Sequence, residues 1–224
     1  MGVQIRRMFD DIAGKYDFLN HFLSLGRDIS WRKKAIRQIT HEGDLRVLDL
    51  CGGTGDFLNE VSRTLGSINL GVVGDFSHGM LSVSQKKYPF EVVQLDAMQT
   101  PFANEQFNTV LNGFGMRNLD DTRKGVQEAN RVLERGGLFI TLEFFQPSNP
   151  FNFFFYKIMA PLFIPLFGAL FSGKGDAYAY LVRSIKGFLK VQEYKTLCES
   201  EGFNVNNIML CDGGLAYIVV AEKV

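Results

Sequence analysis

The chain has 224 residues, of which 46% are hydrophobic, and its 24 basic residues are balanced by 24 acidic ones. A balanced charge excludes a bulk electrostatic binder of nucleic acid, and this length and apolar content suffice to bury the core of one α/β domain. Cys51, Cys198 and Cys211 show neither C-x-x-C spacing nor histidines at zinc-ligand spacing. They are therefore predicted to be small buried residues of a protein from a reducing compartment, and no metal site is expected.

The first forty residues are predicted to form two helices. Apolar side chains recur there at helical spacing: Ile5, Met8, Phe9, Ile12 and Tyr16. This pattern predicts a helix over 4–22, and a second helix is predicted over 28–40 with Asp28 or Ser30 as its cap. Acidic residues occur early and no continuous apolar stretch is present, so the N-terminus is unlike a signal peptide and a cytoplasmic protein is expected.

From residue 46 onward, short apolar runs alternate with helical patterns. The runs predict strands near 46–50, 70–75, 91–95, 107–112 and 137–143. The patterns between them predict helices near 56–65, 78–87 and 121–133. This alternation predicts an α/β fold with a doubly wound, mostly parallel sheet and helices on both faces. The pair Gly136-Gly137 is predicted to end the last of these helices and admit the fifth strand.

The segment 151–171 does not fit a plain sheet-and-helix domain. It holds seven of the 21 phenylalanines and a single charge, Lys157, and its length approaches the roughly 20 residues that span a bilayer. Pro161 and Pro165 would break a lone helix, and the flanks lack a cationic bias. Three interpretations stay open at this point: a membrane span, ordinary core, and an apolar lid or membrane-contacting cap over the substrate.

A glycine turn suggests a ligand site in the run 47–56, which reads VLDLCGGTGD. It predicts a short buried strand, then a turn, then a helix start, so that main-chain N–H groups and a helix N-terminus approach a ligand above the strand. Asp75 and Asp96 close the next two apolar runs. Three successive strand ends facing one crevice would make a cofactor site.

The spacing of the turn bears on which cofactor fits. A dinucleotide fingerprint needs a third small residue where this chain has Leu58, whereas Asp75 suits a ribose contact with either cofactor. A plain strand–helix connector is the further alternative. The pattern D-x-x-G-x-T-G and the later Leu-Asp-Ala resemble the S-adenosylmethionine (SAM) site of class I methyltransferases. That resemblance implies that Gly52, Thr54 and Gly55 contact the methionine end of SAM. It further implies that Asp75 contacts the ribose and that Asp96 with Ala97 contacts the adenine.

The run 112–120, NGFGMRNLD, follows the fourth predicted strand and is the candidate for catalysis. Its glycines allow close backbone approach, and Arg117 would stand beside the methyl group that SAM presents. An arginine there can steady an oxyanion or hold a water that relays a proton. The alternative is a structural arginine that pairs with Asp120 or Asp121 at a helix start.

With this run the chain resembles the ubiquinone/menaquinone biosynthesis C-methyltransferase family over nearly its whole length. The resemblance is carried by Phe-Gly-x-Arg-Asn at 114–118, by Asp-Phe-Ser at 75–77, by the N-terminal motifs from Met8-Phe9 to Trp31-Arg32, by Leu-Glu-Phe at 142–144, and by Tyr180-Leu181. It implies transfer of a methyl group to a ring carbon of a polyprenyl quinol, with the menaquinone branch favoured over the benzoquinol precursor of ubiquinone. It further implies that Tyr16 lines the acceptor side and that Asn118 supports Arg117, although Tyr16 could equally be a packed helix aromatic.

The resemblance also implies a single class I methyltransferase domain over 1–224. Its parts would be N-terminal helices (1–44), a SAM-binding core (45–145), an apolar helical cap inserted after the fifth strand (146–190), and a helix with an edge hairpin (191–224). The cap would shelter the isoprenoid tail and bring the protein to the inner face of a membrane as a peripheral protein. A homodimer is left open.

Two departures from the family pattern stand out. Where many members have a histidine near the C-terminus, this chain reads GLAYIV over 214–219, so a mechanism needing that imidazole is in doubt. At Asn112-Gly113 the family often has a hydroxyl residue, so that contact could come from the backbone. His21, His41 and His78 are scattered, and no catalytic couple is recognisable among them. Three rivals remain: a nicotinamide-dependent oxidoreductase, a non-catalytic lipid-binding protein, and a methyltransferase acting on oxygen or on another lipid.

Overall fold

The computed structural model describes residues 3–40, 43–146 and 176–224, which form one seven-stranded sheet with helices on both faces. Three α-helices precede the sheet: α1 (Val3–Ile12), α2 (Tyr16–Leu23) and α3 (Arg27–Ile36). Later in the described ranges lie α4 (Asp56–Leu65), α5 (His78–Lys87), α6 (Thr122–Val132), α7 (Asp176–Gly187) and α8 (Val191–Ser200).

The sheet has the strand order β3-β2-β1-β4-β5-β7-β6. Its strands are β1 (Arg46–Leu50), β2 (Leu70–Asp75), β3 (Glu91–Gln94), β4 (Phe107–Gly113), β5 (Leu133–Glu143), β6 (Phe203–Cys211) and β7 (Ala216–Lys223). The first five strands, β1 to β5, are parallel to one another, and β7 runs antiparallel between β5 and β6. The order reverses between β1 and β4, the place where open α/β sheets form a ligand crevice at the carboxyl ends of the strands. The predicted fold class is confirmed.

The strand registers bring the predicted site residues to one edge. Leu50 pairs with Gly74 and Asp75 with Gln94, while Gly113 at the end of β4 pairs with Leu142 of β5. The residues that follow these positions therefore emerge side by side above the sheet. Residues more than 60 positions apart in the sequence, such as Val47 and Thr109, become neighbours in this way.

Alternate side chains of the central strands feed two separate cores. Val47, Leu111 and Ile140 pack under α3 and α4, whereas Leu48 and Val110 pack under α6 and α8 on the opposite face. This follows from the two-residue period of a strand. Full burial of each such side chain contributes about 1.5–3 kcal/mol, so the helices are held to both faces by apolar packing.

The predicted helix over 4–22 is interrupted. A 3-10 turn at Ala13–Lys15 separates α1 from α2, and Gly14, a poor helix former, lies at its centre. The second predicted helix, 28–40, ends at Ile36. Residues on both sides of the turn reach the carboxyl edge of the sheet, where Arg6, Phe9 and Tyr16 line the crevice.

The predicted cap of α3 is wrong. Gly26 occupies the N-cap position in the left-handed region (φ 74°), and neither Asp28 nor Ser30 caps the helix. Asp28 is instead buried inside it, where it accepts a hydrogen bond from Ser24 Oγ (2.6 Å) and forms an ion pair with Arg32. The acid was needed to neutralise a buried arginine.

Gly136-Gly137 does not separate α6 from the next strand. The helix ends at Val132 and β5 begins at once, because Leu133 pairs with Phe107 before the register jumps to the next pair, Thr109 with Leu138. The intervening residues bulge out of the ladder, and Gly136 within this bulge has a φ of 77°, which favours glycine. The glycines therefore serve a bulge inside the strand.

The C-terminal prediction is confirmed, since α8 is followed by β6, a turn at 212–214 and β7. In the described ranges, no helix is both long and apolar enough to cross a membrane. The apolar segment 151–171, and with it the predicted cap, lies outside the described residues.

Candidate active site

The turn after β1 brings main-chain atoms close to the crevice. Cys51 adopts a φ of 59°, unusual for a residue with a side chain, and it lines the crevice half-buried rather than filling the core as predicted. Gly55, the N-cap of α4, has a φ of 81°, and a Cβ there would lie 2.5 Å from Ser84 Oγ. A Cβ on Gly52 would lie 2.7 Å from the carboxyl carbon of Asp49. Only glycine fits at these two positions, where the turn packs closely against Asp49 of β1 and Ser84 of α5.

Asp49 is a functional candidate that the prediction missed. This residue is fully buried in β1; its Oδ2 accepts a hydrogen bond from Leu58 N (3.2 Å), whereas its Oδ1 has no partner among the described residues. Burial raises the pKa of Asp49 to about 7, partly opposed by the hydrogen bond from Leu58. A buried carboxyl with an unused oxygen beneath the glycine turn suits a ligand that brings positive charge. An acid inside an otherwise apolar strand was the available signal.

Asp75 ends β2 and is 5% exposed. Its carboxylate accepts hydrogen bonds from Gly53 N (3.0 Å) and Ser77 N (2.8 Å), which fixes its orientation between the turn and the start of α5. Burial raises the pKa of Asp75 to about 6 in spite of these hydrogen bonds. The side chain lines both of the cavities that lie in the crevice, an outer one and an inner one.

The larger of these, the outer cavity, has a volume of about 330 Å³. Its walls come from α1 and from the ends of β1, β2 and β3: Arg6, Cys51, Asp75, Phe76, Gln94, Leu95, Asp96 and Ala97. Asp96 is exposed at the rim and its Oδ1 accepts from Met98 N (2.9 Å), whereas Ala97 is buried. The predicted ribose and adenine contacts are therefore brought together around one cavity.

The N-terminal residues 3–23, here called the N-terminal cover, close over this crevice. Asp10 accepts hydrogen bonds from Ser77 Oγ (2.6 Å) and Gly79 N (2.9 Å) at the start of α5. Asp17 accepts from Thr54 Oγ1 (2.5 Å) and from Lys87 Nζ (2.8 Å). The hydroxyl of Thr54 is thus directed to the cover and is not free to contact a ligand.

The smaller, inner cavity has a volume of about 30 Å³ and is walled largely by aromatic and glycine residues. Its lining consists of Phe9, Tyr16, Cys51, Gly53, Asp75, Phe76, Met80, Gly113, Phe114, Gly115 and Asn118. Cys51, Asp75 and Phe76 line both cavities, so the two meet at these side chains. Tyr16 and Asn118, predicted for the acceptor side, both lie here.

Arg117 stands behind the inner cavity in a buried ion pair. Its Nη1 donates to Glu143 Oε1 (2.6 Å) and to Phe114 O (2.6 Å), while its Nε has no partner among the described residues. Glu143 ends β5, is fully buried, and was not predicted as a site residue. The partner of Arg117 is therefore not the predicted acid at a helix start, since Asp121 instead caps α6 by accepting from Lys124 N.

Polar contacts tie this loop to helix α7. Asn118 Nδ2 donates to Phe114 O (3.1 Å), and Tyr180 OH donates to Asn118 Oδ1 (2.7 Å). Burial raises the pKa of both Tyr16 and Tyr180, and the positive charge of Arg117 opposes that shift in each. The field of the guanidinium therefore reaches two hydroxyl groups around the inner cavity.

Two further polar residues serve the framework. Asn112 is fully buried, donates to Leu50 O (2.7 Å) and accepts from Gly115 N (3.2 Å), so it holds the loop and does not line either cavity. His21 hydrogen-bonds Asp28 (2.8 Å) in the N-terminal cover and is likewise absent from the lining of both cavities.

The residues present fit SAM. The unpartnered oxygen of Asp49 suits its cationic methionine end, and Asp75 stands at a strand end beside the outer cavity, whose position at the carboxyl ends of the strands suits a nucleoside. In fold and site, the molecule is a SAM-dependent methyltransferase of class I. The model of the ubiE/COQ5 methyltransferase family matches residues 2–223, and the chain belongs to that family.

Relatives agree with this assignment. The chain is 33% identical to the demethylmenaquinone methyltransferase of Staphylococcus saprophyticus over 224 residues, which cover 98% of this chain and 96% of that protein. It is 38% identical to the one from Chlorobaculum parvum, covering 89% and 84%. Among solved structures, a SAM-dependent methyltransferase from Thermotoga maritima shares the fold with a TM-score of 0.69 at 18% identity, over 97% of this chain and 99% of that one.

Asp49→Asn is expected to stabilise the ligand-free protein increasingly as pH rises. The folded state holds the carboxyl proton with a pKa of about 7 against an unfolded value of 3.8, so the stability that the proton supplies is lost between about pH 4 and 7. Asparagine stays neutral and avoids this loss. Chemical denaturation should show an advantage of about 1–2 kcal/mol at pH 8 that shrinks towards pH 4.5. An advantage that does not vary with pH would contradict the burial argument.

Proposed function

We propose that the protein methylates a ring carbon of a demethylated polyprenyl quinol, with demethylmenaquinol as the preferred acceptor. The observation that carries this proposal is the buried guanidinium of Arg117, which lies behind the aromatic-walled inner cavity. The inner cavity meets the outer cavity at Cys51. The names of the relatives support the menaquinone branch. A benzoquinol acceptor is the alternative, since the same cavity chemistry suits either ring.

We propose the following cofactor contacts. Asp75 would bind the ribose hydroxyls, and Asp96 with Ala97 would flank the adenine, because all three line the outer cavity. Main-chain atoms of Gly52, Thr54 and Gly55 would face the methionine end. SAM supplies a methyl group on a sulfonium, which positioned groups can direct in line at an acceptor carbon.

The acceptor side must promote attack by carbon. A quinol ring becomes strongly nucleophilic when one hydroxyl ionises, and after attack the ring carbon has to lose its proton to restore aromaticity. Arg117 stabilises the ionised hydroxyl: burial raises the pKa of Tyr16 and Tyr180, and the charge of Arg117 opposes that shift, as it would for a buried acceptor hydroxyl. Asn118 holds the loop in place, and Tyr16 offers a hydroxyl beside the ring that can hydrogen-bond the oxyanion or a proton-relaying water.

The aromatic walls of the inner cavity exclude water and fit a flat ring. Phe9 lies edge-on to both Tyr16 and Phe76, with ring centroids 6.0 Å apart in each pair. The volume of about 30 Å³ has room for about one or two water molecules and is too small for a quinol ring. Movement of the N-terminal cover, whose Phe9 and Tyr16 form part of the wall, would admit the ring, and its return would seal the reacting atoms from solvent.

Peripheral contact with a membrane is part of the proposal, because a polyprenyl quinol dissolves in the bilayer. Apolar side chains are exposed on the N-terminal helices and the turn between them, with Leu25 exposed by 73%, Phe18 by 58% and Ile29 by 38%. The composition of 151–171 adds to this support. The location at the inner face stays a prediction, and a homodimer is left open.

The test is product identification with labelled SAM. Demethylmenaquinol and a demethylated benzoquinol, each carrying an isoprenoid tail, are supplied in vesicles and in detergent under reducing conditions. We expect one methyl group on a ring carbon, faster turnover of the naphthoquinol, and sedimentation of the protein with the vesicles. A methyl ether product would make the enzyme an O-methyltransferase, and transfer to neither quinol would overturn the proposal.

A further inference from the structure

Glu143 lies at the end of β5 with no exposed surface, and both of its carboxylate oxygens accept hydrogen bonds from Arg117. Its Oε1 accepts from Arg117 Nη1 (2.6 Å) and from Phe144 N (2.7 Å). Its Oε2 accepts from the main-chain N–H of Arg117 (3.3 Å). One carboxylate therefore fixes both the backbone and the side chain of the same arginine.

Aromatic rings hold the guanidinium as well. The Phe114 and Phe144 rings stack with centroids 4.6 Å apart, and the guanidinium carbon of Arg117 lies 6.0 Å and 5.6 Å from their respective centroids. Trp31 packs edge-on to Phe144 at 6.2 Å. With one nitrogen bound to Glu143 and two rings beside it, the arginine has a single orientation, which leaves its Nε available.

A gain in stability does not account for an acid at this position. A buried ion pair contributes little net stability compared with well-packed apolar residues of similar volume, because both charges lose their hydration. The strand around Glu143 is otherwise apolar over 138–142 except for Thr141. The pair is better explained by what it does to the geometry of Arg117, where a displacement of about 1 Å can cost 10²-fold in rate.

We propose that Glu143 is the positioning residue of the acceptor site, which sets the rate of methyl transfer by aiming Arg117 at the oxyanion of the acceptor. This inference rests on the proposed function. It assigns the rate effect of Glu143 wholly to Arg117, so the effect should vanish when the arginine is no longer there to be positioned.

A double-mutant cycle tests this with the wild type, Glu143→Gln, Arg117→Lys and the double variant. Glutamine keeps the shape but meets the Arg117 N–H with a donor, so kcat with demethylmenaquinol should fall roughly 10²-fold while the Kd of S-adenosylhomocysteine changes less than about threefold. In the Arg117→Lys background the same substitution should change kcat less than about threefold. Equal fold losses in both backgrounds would overturn the proposal.

Glu128→Gln is the matched control. Glu128 is also a buried acid paired with an arginine, accepting from Arg131 Nη2 (2.7 Å) and Thr100 Oγ1 (2.6 Å), and it lines neither cavity. The Glu128→Gln substitution should lower Tm without lowering kcat. Glu143→Asp, which keeps the charge, should retain more activity than Glu143→Gln and takes its place in the cycle if that variant does not fold. Loss of kcat that merely follows Tm across all these variants would make Glu143 a structural residue.

A second readout needs no turnover. The guanidinium Nε–H of Arg117 should exchange slowly with solvent in NMR spectra of the wild type and quickly in Glu143→Gln. If the wild type methylates neither quinol, the proposed function fails, yet this exchange still decides whether Glu143 orders Arg117. Equal exchange in the two proteins would contradict the inference even for an active enzyme.

Discussion

Replacing Arg117 with alanine is expected to lower kcat by about 10²–10³-fold while the affinity for S-adenosylhomocysteine changes by less than about threefold. The guanidinium lies behind the inner cavity, beside Phe114, and lines neither cavity, so under the proposed function we expect its charge to act on the acceptor rather than to contact the cofactor. Removing one preorganised group that stabilises a developing oxyanion typically costs this much in rate. Single-turnover kinetics together with calorimetry separate the two effects.

The variant also leaves Glu143 buried without its partner, which destabilises a protein by about 3–5 kcal/mol. Tm must therefore be recorded, and Arg117→Lys, which keeps a positive charge, serves as a second variant. Arg123→Ala is the control, since Arg123 is an exposed arginine paired with Glu201. Strong loss of cofactor affinity with kcat preserved would make Arg117 a cofactor-binding residue and contradict its assignment to the acceptor.

Asp75→Asn should produce the opposite pattern. We expect the Kd for SAM to rise about 30–100-fold with a much smaller change in kcat at saturation, because hydrogen bonds to a charged group contribute about 1.5–3 kcal/mol each. Gly53 N and Ser77 N donate to different oxygens of Asp75, so asparagine preserves the shape and keeps an acceptor for one of these two N–H groups. Titration calorimetry at pH 8, where the carboxyl is ionised, measures the change.

Asp44→Asn is the matched control for this prediction. Asp44 is an exposed acid just before β1, at the opposite edge of the sheet from the crevice. Its substitution should leave the affinity for SAM unchanged. If Asp75→Asn also binds SAM as tightly as the wild type, the ribose contact has been assigned to the wrong residue.

The sheet could be predicted closely from the sequence because its signals are local. The run 70–75 was predicted as a strand and forms β2, and the edge hairpin predicted within 191–224 is present as two antiparallel strands joined by a turn at 212–214. Alternating apolar side chains, glycine turns and helix patterns each act within a few residues of the chain. The strand ends then carried Asp75 and Asp96 to one cavity, as a parallel sheet requires.

The contacts between distant segments could not be predicted in the same way. Thr54 donates to Asp17, 37 residues earlier, and Arg117 pairs with Glu143, 26 residues later. Neither pair leaves a pattern in the sequence, because the N-terminal cover and the end of β5 meet the site only after folding. Buried acids within apolar strands, at Asp49 and Glu143, were the one signal available for such contacts.

The central claim is that the outer cavity holds the nucleoside of SAM and that its methyl group points into the inner cavity. A crystal structure with S-adenosylhomocysteine tests it most directly. We expect the ribose at Asp75, the adenine beside Ala97, and the sulfur at the junction of the two cavities near Cys51 and Phe76. A ligand bound elsewhere, or a sulfur directed away from the wall formed by Phe9 and Asn118, would contradict this account.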